Sequence, residues 1–284
     1  LFTYLEDYKD KWPNYFKLER RNGILQLTVH HKDGPMYWSP LPDGPQHIFG
    51  EMFHHVGHDP ENRIMIMTGT GDAWCPGLDM NRLPGGTGDV TPLWWDYLFR
   101  AERDIFTNLL NIPVPIIAAI NGPATYHAEI PLLSDVCLCT PDTFFADDSH
   151  VAVGVVPGDG IQIMWEMLIG PNRARAFQYL HQKIHAEEAK ALGVVAEIHP
   201  RDKIVARAWE IAEDLVGRMG PVVLRNSRAV LTENIRRRIH TEHNGSYALE
   251  GLAQVMRPSL EKAPNVEVWP ADHPLHGKMK LGHD

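Results

Sequence analysis

Pro113-Val114-Pro115-Ile116-Ile117-Ala118-Ala119-Ile120, closed by Asn121-Gly122, is the stretch on which the fold turns. Its apolar run reads as a β-strand, with both prolines at the start, where a missing N–H is tolerated. Upstream, Arg63-Ile64-Met65-Ile66-Met67-Thr68 is a second such strand ending at Gly69-Thr70-Gly71, and Ile24–Val29 is a third, after the turn pair Asn22-Gly23. Downstream, 135–140 reads as a fourth. Apolar residues at helical spacing mark 3–12, 46–57 and 93–111, and past the glycine-rich turn 153–160 they mark 161–169, 172–181, 187–192 and 205–218. Residues 221–257 read as helical almost throughout. Strands alternating with helices, then a helix-only final third, predict an α/β fold with an appended helical region. The expected division is a core domain over 1–200, a helical region over 201–260 and a proline-rich tail over 261–284.

Composition narrows the function classes. With 44% hydrophobic and 22% charged residues among 284, the chain is an ordinary globular one. Lys plus Arg is 27 against 36 Asp plus Glu, a net charge of −9, which argues against a nucleic-acid partner. Three cysteines make no disulfide framework, which points to a reducing cytoplasm. Cys137 and Cys139, two apart in a strand, share a face and read as core. No apolar run is long enough for a membrane span, and residues 1–17 do not read as a secretory signal. Sixteen histidines invite a metal reading. His54/His58 and His181/His185 are four apart, as on one helix face, but no His-Glu-x-x-His and no third ligand accompanies them. They read as helix-surface residues, and no metal is expected.

Three segments carry chemistry. Thr68-Gly69-Thr70-Gly71-Asp72-Ala73-Trp74-Cys75-Pro76-Gly77-Leu78-Asp79 ends a strand in a glycine-containing turn, where α/β folds place ligands or merely a tight connection. Asn121-Gly122-Pro123-Ala124-Thr125-Tyr126-His127-Ala128-Glu129 sets a histidine two residues from a carboxylate. His127 there can donate to an oxyanion or move a proton, or be satisfied by loop carbonyls. In Asp147-Asp148-Ser149-His150 and the turn ending Gly158-Asp159-Gly160, His150 can meet Asp159, whose carboxylate would fix the imidazole and raise its basicity. Asp159 can equally cap the helix that follows. No Gly-x-Ser-x-Gly elbow is present, so an α/β-hydrolase serine mechanism is unsupported.

Over residues 15–255 the order of these motifs resembles the crotonase (enoyl-CoA hydratase/isomerase) superfamily. The resemblance implies a crotonase fold, a spiral of ββα turns with a helical C-terminal trimerisation region, often paired into hexamers. CoA-using members hold the thioester with two backbone N–H groups. The position of the first is Pro76, which has no N–H. The glycines that supply the second are replaced by Thr125-Tyr126-His127-Ala128, and a hydratase Glu aligns with His150. These departures resemble the CoA-independent β-diketone hydrolases of the 6-oxocamphor hydrolase type. Their pattern of His followed by x-Glu-Ile-Pro matches His127-Ala128-Glu129-Ile130-Pro131. Their second His and Asp match His150 and Asp159, their C-terminal Glu matches Glu250, and a pocket Trp matches Trp38.

The resemblance implies retro-Claisen hydrolysis of a cyclic β-diketone to a keto acid without a cofactor, in a homotrimer or hexamer. His150 with Asp159 would activate water, His127 would hold the enolate oxygen, Glu250 would hold the water or the histidine, and Trp38 would pack the ring. The alternatives are an enoyl-CoA hydratase or isomerase and a non-catalytic binding protein of the same fold.

Overall fold

The computed structural model describes residues 1–79, 90–262, 266–267, 271–272, 274, 276 and 280–281. The glycine-rich loop 84–89 and most of the tail 261–284 lie outside the described residues. A single helical turn, α1 (Leu5–Tyr8), leads into a hairpin of β1 (Phe16–Arg21) and β2 (Ile24–Val29). Asn22 and Gly23 turn that hairpin with φ of 52° and 78°, the left-handed pair a two-residue connection requires. Next come α2 (Pro45–His58), β3 (Ile64–Gly69), α3 (Pro92–Asn111), β4 (Ile116–Ile120), the short α4 (Glu129–Leu132) and β5 (Val136–Cys139). They are followed by β6 (Phe144–Phe145), α5 (Ile161–Ile169), α6 (Pro171–Tyr179), β7 (Ile184–His185), α7 (Ala186–Ala191) and β8 (Glu197–Ile198). The helices α8 (Arg201–Arg218), α9 (Pro221–Leu231) and α10 (Glu233–Lys262) complete the C-terminal region.

The main sheet has the order β1-β2-β3-β4-β5-β8, with β1 antiparallel to β2 and every other pair parallel. Parallel strands covered on both sides need apolar residues on both faces, which explains why β3 and β4 read as unbroken apolar runs. Ile64, Ile66, Ile117, Ala119 and Leu138 face Ile204, Ala208 and Ala212 of α8. Met65, Met67, Ala118, Ile120, Cys137 and Cys139 face the larger core with Phe49, Phe53, Ile105 and Phe106 of α2 and α3. Both cysteines of β5 therefore lie on one buried face, as their spacing predicts.

Two expectations are corrected, and one strand carried no signal. The N-terminal helix is one turn, not 3–12, because the chain turns into β1 after Trp12, with Tyr15 and Phe16 amides both on the Trp12 carbonyl. Strand β1 was unmarked in the sequence, since as an edge strand it is buried fully only at Phe16. Residues 221–257 are helical almost throughout, as the sequence predicts, in two helices divided at Thr232, whose hydroxyl donates to the Arg228 carbonyl. His181 and His185 do not share a helix: α6 ends at Tyr179, His181 has a φ of 47° and His185 lies in β7. Among the described residues, no helix is long and apolar enough to cross a membrane.

The carboxyl ends of β3, β4 and β5 lie side by side, so the loops leaving them converge. Asn121 Nδ2 donates to the Gly71 and Ala73 carbonyls at 3.1 and 3.0 Å, tying the loop after β4 to the loop after β3. Gly122 has a φ of 156° and lies so close to the Asp72 carbonyl that a Cβ would collide with it. No other residue type permits this approach.

Candidate active site

Against these loops lies a cavity of about 290 Å³, lined by Trp38, Glu102, His127, His150, Asp159 and Glu250 among others. It thus gathers all five residues singled out from the sequence. Trp38 is set by its backbone, whose N–H donates to the Gly77 carbonyl while its carbonyl accepts from Asp79. Its indole stacks on His127 with ring centroids 3.7 Å apart. His127 is held at a φ of 48° at the entrance to α4, an unusual conformation for a residue with a Cβ. Such strain is often retained at functional positions.

His127 Nδ1 lies 2.6 Å from Glu129 Oε1 and donates to it, leaving Nε2 as the nitrogen free to meet a ligand. Burial alone would lower the imidazole pKa, but the Glu129 carboxylate, with Glu102 and Asp159, raises it to about 9. His150 is bracketed: Nδ1 is 2.7 Å from Asp147 Oδ1 and Nε2 is 3.2 Å from Asp159 Oδ2. Burial again opposes the charge, yet Asp159 and Asp147 together hold His150 well above its ordinary value.

Asp159 faces His150 and is not the N-cap of α5, a place taken by Gly160. Its Oδ1 accepts from the Ile161 amide at 3.1 Å, while Oδ2 faces His150 and stands 4.0 Å from His127 Nδ1. Burial would raise its pKa, but the His150 charge and hydrogen bond outweigh burial and hold the carboxyl well below the usual range. Glu250, on α10, accepts from the Gly158 amide at 3.0 Å and so clamps the loop that carries Asp159. Burial and the neighbouring Asp159 charge push its carboxyl well above the ordinary value.

Three site residues escaped the sequence reading. Asp147, three residues before His150, lies within the quoted segment but was overshadowed by Asp159. Gln46 and Glu102 come from α2 and α3, where nothing local marks them except their place in a buried stripe. Glu102 falls among Leu98, Ala101, Ile105, Phe106 and Leu109 on the buried face of α3, and a carboxylate there is the signal. Gln46 Nε2 donates to Glu102 Oε2, and Trp38 Nε1 donates to Gln46 Oε1 at 2.6 Å. Burial first, then the Asp159 and Glu129 charges, raise the Glu102 carboxyl to about 8.

Glu102, His127, Glu129 and Asp159 bring donor atoms within 4.8 Å of one another, a spacing that would also suit a cation. Here the His127 ring supplies the positive charge that the carboxylates surround. The backbone departs from the thioester cradle that the resemblance describes. Pro76 lacks an N–H, and the Thr125 and Tyr126 amides both donate to the Cys75 carbonyl at 3.2 Å. The arrangement can therefore move protons and hold an oxyanion through imidazole side chains.

Comparison with known proteins gives the family. Residues 40–251 match the family model for enoyl-CoA hydratase/isomerase. A probable peroxisomal enoyl-CoA hydratase of Arabidopsis thaliana is 28% identical over 216 residues, 75% of this chain and 77% of its own length. The structure of a β-diketone hydrolase from the cyanobacterium Anabaena sp., bound to (S)-3-oxocyclohexyl acetic acid, superposes with a TM-score of 0.81 at 33% identity. That match covers 90% of this chain and 98% of the cyanobacterial one. An enoyl-CoA hydratase/isomerase from Mycobacterium paratuberculosis shares the fold at a TM-score of 0.77 and 22% identity, covering 86% of this chain and 95% of its own. The chain belongs to the crotonase (enoyl-CoA hydratase/isomerase) superfamily, on its β-diketone hydrolase branch.

Proposed function

We propose that the protein hydrolyses a carbon–carbon bond of a cyclic β-diketone by a retro-Claisen reaction that needs no CoA. The observation that carries this reading is the pairing of two imidazoles with carboxylates around one cavity, His127 with Glu129 and His150 with Asp147 and Asp159. It stands where thioester-binding members use backbone amides. The cavity's 290 Å³ lies at the small end of the roughly 300–1,000 Å³ found for ligand pockets and suits one small ring system.

In this mechanism neutral His150 takes a proton from water at Nε2, its basicity raised by the two aspartates. The water oxygen bonds to one carbonyl carbon. The bond from that carbon to the α-carbon then breaks, and its electron pair is taken up by the other carbonyl as an enolate. His127 Nε2–H donates to the enolate oxygen, and His150 returns the proton to the α-carbon to give a keto acid. Glu250 holds the Asp159 loop through Gly158, and Trp38 packs against the ring of the substrate and of His127. The diketone itself accepts the electron pair. A homotrimer or hexamer would bury the exposed apolar side chains of α9 and α10, including Val223, Val230, Leu231, Leu249 and Leu252.

The test is incubation with bicyclic and monocyclic β-diketones, followed by chromatography, beside a crotonyl-CoA absorbance assay. Loss of diketone with appearance of a keto acid, and no thioester turnover, is expected. Turnover of the thioester with intact diketones overturns the reading in favour of a hydratase or isomerase.

A further inference from the structure

We propose that Glu102 acts as a neutral carboxylic acid, donating a hydrogen bond from Oε1 to the substrate carbonyl oxygen that His127 does not hold. The inference rests on the diketone reading and adds a second donor to it.

Trp38 fixes which way the Gln46 amide points. An indole N–H can only donate, so the Gln46 side-chain oxygen must face it, at 2.6 Å. That choice turns the Gln46 amino group toward Glu102, where Nε2 donates to Oε2. Oε2 is thereby an acceptor, and a proton on this carboxyl belongs on Oε1. Oε1 is buried and has no hydrogen-bond partner among the described residues, while Glu102 itself lines the cavity and is 1% exposed. A buried polar atom left unsatisfied is costly, and a ligand oxygen in the cavity would satisfy it.

The surroundings favour the neutral form. Asp159 on the loop before α5, Glu129 on α4 and Glu250 on α10 all place acidic groups around Glu102, with Tyr247 of α10 close by. The His127 charge and the hydrogen bond from Gln46 oppose them, and burial with the acidic neighbours outweighs both. A β-diketone offers two carbonyl oxygens, and both develop charge along the reaction, one as the tetrahedral oxyanion and one as the enolate. Two donors, His127 Nε2–H and Glu102 Oε1–H, serve two oxygens. The Trp38–Gln46 relay makes the choice of Glu102 oxygen a property of the fold.

The test compares Glu102→Gln with Glu102→Leu. A glutamine keeps a donor at the Oε1 position and still accepts from Gln46, so it should retain kcat/KM within a few-fold of wild type. It should also lose the fall in rate that Glu102 ionisation causes above about pH 8. Leucine removes the donor and should lower kcat/KM about tenfold or more. Difference infrared spectra of wild type against Glu102→Gln at neutral pH should show the stretch of a protonated carboxyl. An ionised carboxylate in that spectrum overturns the inference, as does a glutamine variant no better than the leucine one. If wild type hydrolyses the diketone and Glu102→Leu keeps its kcat/KM, this inference alone fails. A wild type without diketone hydrolysis removes both readings.

Discussion

Asp147 Oδ1 meets His150 Nδ1 at 2.7 Å, on the opposite side of the imidazole from Asp159. The carboxylate that orients the ring from behind is thus Asp147. Asp159 stands at the Nε2 end, where the ring reaches the cavity, 3.2 Å away. Two flanking carboxylates favour the imidazolium, so the neutral ring that accepts a proton from water is gained as pH rises.

This arrangement sets the pH dependence. Neutral His150 accumulates only as pH rises through its raised pKa, so kcat/KM for the diketone should climb from pH 6 into the alkaline range. Glu102, raised to about 8, and His127, raised to about 9, lose their donor protons as pH rises and turn the profile down. The apparent values belong to the cluster as a whole. Asp147→Asn removes one of the two charges that favour the imidazolium, so its acid limb should move to lower pH. Profiles of kcat/KM for wild type and this variant check the sign; an acid limb that stays in place refutes the bracketed-ring argument.

His127→Ala and His150→Ala should each lower kcat by at least ~10²-fold, the scale for loss of an acid–base group, with unchanged far-ultraviolet circular dichroism. Asp159→Asn should act largely through His150. In a double-mutant cycle on kcat, its effect added to that of His150→Ala should be far smaller than alone. Near-wild-type turnover by either alanine variant would remove that histidine from the mechanism.

The C-terminal region is tied to the core by one buried cation, and its loss should be read in stability. Arg228 on α9 donates from Nη1 to the Leu110 and Ile112 carbonyls at 3.0 and 2.7 Å, and from Nε to Asp135 at 2.8 Å. Asp135 in turn accepts from the Ile116 amide at the start of β4, at 2.7 Å. Arg228→Met would leave two carbonyls and part of a carboxylate without their partner, a loss of roughly 3–5 kcal/mol. Urea denaturation followed by tryptophan fluorescence measures it, and a change below about 1 kcal/mol would mean that water replaces the guanidinium.

Much of this was legible in the sequence because each signal was local. Strands β3 and β4 announce themselves as apolar runs, since a sheet covered on both faces leaves no polar position. His127, His150 and Asp159 stand in turns beside strands, where short-range spacing already limits their partners. What stayed hidden depends on contacts between distant segments. Glu102 reads as a charge within an amphipathic helix until the fold brings Gln46 and Trp38 to it, and β1 reads as polar because only its pairing with β2 marks it as a strand. The position of Asp147 was visible, but choosing between it and Asp159 requires knowing which imidazole nitrogen faces the cavity.

Gly158 offers a test of how the loop position controls the chemistry. It lies against α10 so closely that a Cβ would collide with the Ser246 carbonyl and come within 2.9 Å of Glu250 Cβ. Its N–H donates to Glu250 at 3.0 Å, and its carbonyl accepts from the Ser246 hydroxyl at 2.8 Å, so both sides of the residue are fastened to the helix. Asp159 is the next residue. In Gly158→Ala the loop must retreat from α10, which carries Asp159 Oδ2 away from the distance it now keeps to His150. Misplacement by about 1 Å can cost on the order of 10²-fold in rate. The variant should therefore lose kcat while circular dichroism and substrate affinity change little, because Trp38 and His127 sit on other loops. Loss of KM with kcat preserved would instead show that the loop shapes the pocket without setting the His150–Asp159 pair.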